Sequence, residues 1–279
     1  MSRNFLSEIV ARKRQVVERL RASSAAHALH AQALEVRKNA ALHRLRQALE
    51  TASPELKIIA EFKRASPSVG MIRSDLSPAD VAHHYERGGA CAISVLTDEE
   101  YFGGSIDDLS AVRSSTHLPV LRKDFIIDPI QIYEAAIAGA DAVLLIVAAL
   151  GDHSLGELRN LAEDELELDA LIEVHTSDEL LRALKVGAKI IGVNNRDLDT
   201  FEVSLSTSER LISEAPQDCV MISESGLRTP EQLRDLQALG FRGFLIGEQL
   251  MRAKNPETAL RDLLISANDP QMMSRASRR

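Results

Sequence analysis

Charged residues interrupt an apolar run at Glu61 and Lys63, in the segment IAEFKRASPSVG that begins at Ile59. Residues two apart in a β-strand point to the same face, so a carboxylate and an ammonium would lie side by side. Such a pair is suited to proton transfer or to binding an anion. Because burying an unpaired charge costs several kcal/mol, roughly, this face is predicted to meet a site and not a sealed core.

Polar residues of the same kinds follow other apolar runs of the sequence. They lie where predicted strands end: Ser66, Lys123, Glu173, Asn194, Arg196, Glu224 and Ser225. Phe125 would share the face of Lys123. A layer of salt bridges that closes one end of a sheet is the structural alternative. Because these charges share one end of five strands, we favour a ligand site.

The elements that would carry these residues repeat as short apolar strands separated by amphipathic helices. The strand-like runs are KIIAEFKR from 57, CAISVLTD from 91, PVLRKDF from 119, AVLLIVA from 142, DALIEVH from 169, KIIGVNNR from 189, VMISES from 220 and GFLIGEQL from 243. A typical helix has Ser77 as its N-cap, Pro78 in its first turn and a stop at Gly88 and Gly89. Apolar strands alternating with helices predict a parallel sheet covered on both faces.

Eight such units predict the α/β class and the (β/α)₈ TIM barrel, which has about 250 residues. A doubly wound open sheet is the rival fold, but it rarely needs eight evenly spaced units, and no G-x-G-x-x-G follows the first strand. Residues 1–50 are predicted to form a helical extension that packs on the barrel or contributes to its active-site rim. Residues 51–268 would form the barrel and residues 269–279 a disordered tail, in a single domain overall.

Glycines follow the last two predicted strands, at Gly226 and Gly247. In many barrels, the loops after strands 7 and 8 bind phosphate through backbone N–H groups, to which glycine allows close approach. A tight turn explains each glycine equally well. Together with Lys63 and Arg196, the two glycines favour a sugar-phosphate ligand.

Composition limits the class of partner. The 279 residues are 45% hydrophobic, and the formal net charge of −8 argues against nucleic acid or an anionic membrane. The N-terminus lacks the apolar core of a signal peptide, and Cys91 and Cys219 have no metal-ligand spacing. We expect a cytoplasmic protein with no metal, and a monomer is the simplest oligomeric state.

The chain resembles the indole-3-glycerol phosphate synthase family over nearly all of residues 1–265. The motifs that carry the resemblance are IAEFKRASPSVG, SVLTDEEYFGG, LRKDFIIDPIQIYEA, ADAVLLIVAAL, LIEVH, IGVNNRDL, ISESGL and FLIGEQLM, in the family's order. Val69 departs from the family where a lysine is common. Glu248 departs where a small residue can occur, which bears on a side-chain contact with phosphate but not on a backbone contact.

The resemblance implies an enzyme of tryptophan biosynthesis that closes the indole ring of 1-(2-carboxyphenylamino)-1-deoxyribulose 5-phosphate. This carboxy-lyase reaction releases CO₂ and water and needs no cofactor. The resemblance implies Lys123 as general acid, Glu173 as general base, and Glu61 with Lys63 as a pair that assists catalysis and holds the substrate. The implied substrate-binding residues are Asn194 and Arg196 for the sugar chain and anionic groups, Ser225, Gly226 and Gly247 for phosphate, and Phe102, Phe125, Leu144, Leu198 and Ile246 for the aromatic ring. Ser66 is expected over the ligand.

The proton transfers of this reaction set requirements on the side chains. An ammonium at Lys123 could protonate the oxygen of the attacked ketone, and dehydration needs both an acid and a base. Glu173 suits the base role if burial raises its pKa toward neutrality, although nearby lysines oppose that shift. Two lysines close together also lower each other's pKa. Whether Lys123 or Lys63 gives each proton stays open.

Two other classes of function remain in play. One is a Schiff-base aldolase with Lys123 as nucleophile, which borohydride trapping would reveal as a permanent mass increase. The other is a non-catalytic sugar-phosphate-binding protein on the same scaffold. The complete set of acids and bases argues against the second alternative.

Overall fold

Helices precede the first strand in the computed structural model, which describes residues 5–22, 26–53 and 55–268. In chain order, the elements are α1 (Phe5–Ala22), α2 (Ala26–Arg37), α3 (Arg44–Glu50), β1 (Ile58–Phe62), β2 (Ala65–Ser66), β3 (Gly70–Met71), α4 (Pro78–Gly88), β4 (Ala92–Leu96), α5 (Glu99–Phe102), α6 (Ile106–Ser115), β5 (Val120–Lys123), α7 (Pro129–Ile137), β6 (Ala142–Ile146), α8 (Asp152–Asn160), β7 (Asp169–Val174), α9 (Ser177–Lys185), β8 (Ile190–Asn194), α10 (Ser206–Ile212), β9 (Val220–Glu224), α11 (Pro230–Leu239), β10 (Gly243–Ile246), α12 (Glu248–Arg252) and α13 (Pro256–Asn268). A 3₁₀ turn (Val147–Ala149) precedes α8, and a π-helical turn (Leu161–Glu165) follows it.

Eight parallel strands close into a barrel within the described residues. Each strand pairs with its neighbours in chain order, and β1 pairs with both β4 and β10. The remaining two strands, β2 and β3, form a small antiparallel hairpin after β1. The predicted (β/α)₈ barrel with an N-terminal helical extension is confirmed, and an open sheet is excluded because the first and last strands are joined.

Local signals in the sequence account for where the elements begin and end. Ser77 caps α4 by accepting from the backbone N–H of Asp80, and Pro78 occupies the first turn as expected. Gly89 ends α4 with a left-handed backbone, at φ 93°. Most strand residues are buried, because helices cover the outer face and side chains fill the interior.

The N-terminal helices cover both ends of the barrel. Leu45 and Leu49 of α3 pack against interior side chains at the end where the strands begin. The backbone N–H of Arg46 donates to Asp169 at 2.9 Å and ties α3 to the start of β7. Ile9 of α1 belongs to the same interior cluster, at the opposite end with Phe125. The interior of the barrel is therefore closed by apolar side chains at its bottom, and α1 adds apolar side chains at its top.

A buried ion cluster fixes α1 on the barrel. The ammonium of Lys13 lies 2.8 Å from Asp98 and 2.7 Å from Asp124, and its side chain is 8% exposed. Burial opposes the charge of Lys13, but the two carboxylates outweigh burial and raise its pKa. Burial likewise opposes the charge of Asp124, but Arg122 and Lys13 lower the pKa of that carboxyl to about 2. The cluster thus ties α1 to Asp124, the residue that follows Lys123 in the chain.

The described helices include none that is both long and apolar enough to cross a membrane. Residues 269–279, for which a disordered tail was predicted, lie outside the described residues. The division of the chain at residue 50 stays a prediction.

Candidate active site

A cavity of about 650 Å³ opens at the carboxyl ends of the barrel strands. All of the predicted site residues line it: Glu61, Lys63, Ser66, Phe102, Lys123, Phe125, Leu144, Glu173, Asn194, Arg196, Leu198, Ser225, Gly226, Ile246 and Gly247. The fold brings them together because parallel strands of a barrel end at one rim. Their individual roles stay predictions.

Lys123 lies between two buried carboxylates at the centre of the cavity. Its Nζ is 3.0 Å from Oε2 of Glu173 and 3.2 Å from Oε2 of Glu224. The three residues come from alternate strands, β5, β7 and β9, whose inward side chains share a layer of the barrel. Asn194 donates to the other oxygen of Glu173 at 3.2 Å. Both glutamate side chains are no more than 2% exposed.

The electrostatics of this triad do not meet the condition stated for Glu173, and they correct the expectation for Lys123. Burial opposes the charge of Glu173, but Lys123 and His175 outweigh it, and the pKa of Glu173 is lowered, not raised. Burial also opposes the charge of Lys123, but Glu173, Glu224 and Glu61 outweigh it, and the pKa of Lys123 is raised. The nearest charged neighbours of Lys123 are carboxylates. Its pKa is therefore not lowered by a second lysine, contrary to the expectation from the sequence.

Glu224 is the carboxylate whose pKa moves toward neutrality. Burial and the neighbouring Glu173 raise its pKa to about 7, despite the opposing effect of Lys123. The catalytic residues that the resemblance implies do not include Glu224, although the sequence places it among the polar strand ends. Strand alternation could have identified Glu224, because Ile222 and Glu224 of β9 both point into the barrel.

Glu61 and Lys63 form the pair that the sequence predicted. Nζ of Lys63 lies 2.5 Å from Oε1 of Glu61, and both side chains line the cavity. Gly247 of the neighbouring loop leaves room for this carboxylate, since a β-carbon there would come 2.3 Å from Oε1 of Glu61. The glycine therefore has a packing role beside the predicted phosphate contact.

Left-handed backbone marks the loop after β9. Ser225 has φ 67° and Gly226 has φ 76°. This region is uncommon for a non-glycine residue and costs about 1 kcal/mol or more, so it concentrates at sites that need an unusual backbone path.

Nearby, Glu248 accepts from Nε of Arg252 at 3.0 Å, and both side chains line the cavity. Glu248, where the chain departs from the family, therefore forms an ion pair within the cavity wall.

An apolar wall lies on another side of the cavity. The rings of Phe102 and Phe125 have centroids 6.4 Å apart. Phe5 of α1 adds a ring that the predicted site residues did not include, with edge-on contacts to Phe201 at 4.9 Å and Tyr101 at 5.3 Å. Leu6 and Ile9 of α1 also line the cavity. The N-terminal helix thus contributes to the rim, one of the two roles expected for it.

Known proteins resemble the chain in both sequence and fold. The family model described as indole-3-glycerol phosphate synthase matches residues 6–263. Proteins named indole-3-glycerol phosphate synthase include one from Zymomonas mobilis subsp. pomaceae, 46% identical over 264 residues, which are 94% of this chain and 98% of that protein. Another, from Chloroherpeton thalassium, is 47% identical over 252 residues, or 90% of this chain and 95% of that protein.

A solved structure shares the fold alone. Thiamine phosphate pyrophosphorylase from Pyrococcus furiosus has a TM-score of 0.58 at 15% identity, covering 81% of this chain and all of that one. The family-model match, by contrast, spans both the barrel and most of the helices before it. The chain belongs to the indole-3-glycerol phosphate synthase family.

Proposed function

We propose that the cavity converts 1-(2-carboxyphenylamino)-1-deoxyribulose 5-phosphate into indole-3-glycerol phosphate, CO₂ and water, by general acid–base catalysis. The observation that carries this proposal is the placement of Lys123 between Glu173 and Glu224. An ammonium and two carboxylates of unequal proton affinity provide both an acid and a base in one buried site.

The ammonium of Lys123 is the acid of ring closure. The ring carbon that bears the carboxylate forms a bond to the ketone carbon, and Lys123 protonates the ketone oxygen as its negative charge develops. Loss of CO₂ from the same ring carbon returns the bonding electrons to the ring and restores aromaticity. The intermediate is its own electron sink, so no cofactor is required.

Dehydration then uses the carboxylates. The hydroxyl leaves as water after it accepts a proton, and a carboxylate removes a proton from the neighbouring carbon to form the double bond. Glu173 is the base because its lowered pKa keeps it ionised. Glu224, with a pKa raised to about 7, can hold or release a proton near neutral pH and thus exchange one with Lys123.

The two walls of the cavity orient the substrate. The apolar side chains around Phe102 and Phe125 take the aromatic ring, and Lys63, Arg196 and the left-handed loop at Ser225 take the sugar phosphate. Binding the phosphate away from the reacting carbons provides orientation. We also propose a cytoplasmic monomer whose partner is this small molecule, in keeping with the net charge of −8.

Turnover of the synthetic substrate tests the proposal directly. The chain has no Trp, so product formation appears as indole emission against a background of Tyr. Lys123→Met and Glu173→Gln should each lower kcat by about 100-fold or more while substrate still binds. Lys185→Met, at an exposed lysine of α9, is the matched control and should leave the rate unchanged.

Two results would contradict the proposal. Substrate bound by the wild-type protein without product would indicate a binding protein. A permanent mass increase on Lys123 after borohydride trapping would indicate an aldolase. The raised pKa of Lys123 argues against an aldolase, because a protonated amine is not a nucleophile.

A further inference from the structure

His175 lies next to the proposed base and outside the walls of the cavity. It follows the last residue of β7, two positions after Glu173, and its side chain is 13% exposed. The cavity-lining residues do not include it. It therefore has no direct path to a substrate, and any effect on the reaction must pass through a neighbour.

The imidazole ring of His175 stands between two carboxylates. Its Nδ1 is 3.1 Å from Oε2 of Glu179, which also accepts from the backbone N–H of His175 at 2.8 Å. Its Nε2 is 3.5 Å from Oε1 of Glu173. Nε2 makes no hydrogen bond within the described part of the chain. One oxygen of Glu179 thus contacts both the backbone N–H and the ring of His175, and the ring contact fixes the orientation of the imidazole.

Only one protonation state suits both contacts. If Nδ1 donates its proton to Glu179, a neutral ring has a bare lone pair on Nε2, which would face the carboxylate of Glu173. An imidazolium has an N–H on each nitrogen and attracts both carboxylates. The geometry favours the charged ring, since the neutral form leaves one buried contact repulsive.

The charges around His175 also favour its protonated form. The imidazolium is favoured by Glu179 of α9, Glu173 of β7 and, farther away, Glu224 of β9. Asp197, in the loop after β8, also interacts with the ring. Two cations lie on the other side of these contacts: Arg210 of α10 donates to the backbone carbonyl of His175 at 3.5 Å, and Lys123 pairs with the other oxygen of Glu173.

We propose that His175 is a positioning residue which, as an imidazolium braced by Glu179, holds the carboxylate of Glu173 ionised and aimed at Lys123. This inference rests on the proposed function, because it assumes that Glu173 is the base. Burial alone would lower the pKa of His175, but Glu179 and Glu173 outweigh it and raise the pKa. Conversely, His175 contributes to the lowered pKa of Glu173.

The charge of His175 matters because Glu173 is buried. Glu173 has Lys123 on one oxygen and Asn194 on the other, and His175 is the second cation near it. A neutral residue at 175 removes that cation without touching the cavity wall. The base would then be protonated at a higher pH, and activity on the acidic side would be lost earlier.

The first test is a histidine NMR titration of the wild-type protein without substrate. The resonance of His175 is the one lost in His175→Gln and moved to a lower midpoint in Glu179→Gln. We expect its midpoint above the ordinary histidine value of about 6.5. A midpoint at or below that value would overturn the proposal, whether or not the protein turns over substrate.

The second test is the pH profile of kcat/KM for His175→Gln. The acidic limb should move up by about one pH unit, which lowers kcat/KM about tenfold on that limb, while values above pH 8 approach those of the wild type. His153→Gln is the matched control, because His153 pairs with Glu157 four residues later on the exposed surface of α8. That control should leave the profile unchanged.

The outcomes separate the two proposals. If the wild type is active and His175→Gln keeps the wild-type profile, His175 does not position the base, and the proposed function stands. If the wild type is inactive, the proposed function fails, and the NMR midpoint still decides the protonation state. Should His175→Gln fail to fold, Glu179→Gln is the second variant, and an unmoved histidine midpoint there would overturn the proposal.

Discussion

Gly192 and Glu224 lie so close that a β-carbon on residue 192 would come 2.1 Å from Oε1 of Glu224. They belong to adjacent strands, β8 and β9, and the glutamate occupies the space that a side chain at 192 would take. The pairing of Glu224 with Lys123 therefore depends on a missing side chain. Gly247 makes room for Glu61 in the same way.

Gly192→Ala should displace the carboxylate of Glu224 and lower kcat by about 10- to 100-fold, with a smaller change in KM. Steady-state assays with indole emission measure the effect, and circular dichroism checks that the barrel still folds. The matched control is Gly156→Ala in α8, where the new β-carbon would meet Val186 at an ordinary 3.8 Å. Equal activity of the two variants would contradict the prediction.

The raised pKa of Glu224 predicts a pH dependence of stability. In the folded state the carboxyl of Glu224 keeps its proton up to about pH 7, whereas in the unfolded chain it releases the proton near pH 4.5. Between these values, therefore, Glu224 lowers the free energy of unfolding as pH rises. Glu224→Gln removes that dependence. Relative to the variant, the wild type should lose about 3 kcal/mol between pH 4 and pH 8. Urea unfolding across this range measures the gap, and a constant gap would refute the assignment.

Lys13→Met should leave Asp98 and Asp124 without their shared cation and destabilise the fold by about 3 kcal/mol or more. The next residue toward the N-terminus is a natural control. Arg12 pairs with Glu100 at 3.6 Å, but both side chains are more than half exposed, so Arg12→Met should change stability by less than about 0.5 kcal/mol. Urea unfolding measures both variants. Similar losses of stability in the two would argue against the buried ion cluster as the anchor of α1.

Phe5→Ala should loosen the aromatic rim that α1 provides. The edge-on contacts of Phe5 with Tyr101 and Phe201 are each worth about 1 kcal/mol, so we expect KM to rise about fivefold with little change in kcat. Leu239→Ala, at a half-exposed residue of α11, is the control for loss of apolar surface. A change in kcat alone would show that Phe5 acts on another step.

Residue patterns predicted the barrel and the polar residues that line its cavity. The eight apolar runs correspond to β1 and β4–β10, since a parallel strand covered on both faces needs a continuous apolar segment. The polar residues at the ends of those runs met in one cavity because barrel strands end at one rim. The contribution of Phe5 escaped prediction, because its contacts join residues nearly 100 and 200 positions apart.

The sequence by itself determined which side chains face the barrel interior, because strand alternation and turn signals are local properties of the chain. Only the tertiary structure decided which carboxylate is ionised. Glu173 and Glu224 are alike in the sequence, and each ends a buried strand. Glu173 has Lys123, Asn194 and His175 around it, whereas Glu224 has Lys123 and the repulsion of Glu173. Coulombic energies depend on distances through space, and these distances exist only after the strands have closed into a barrel.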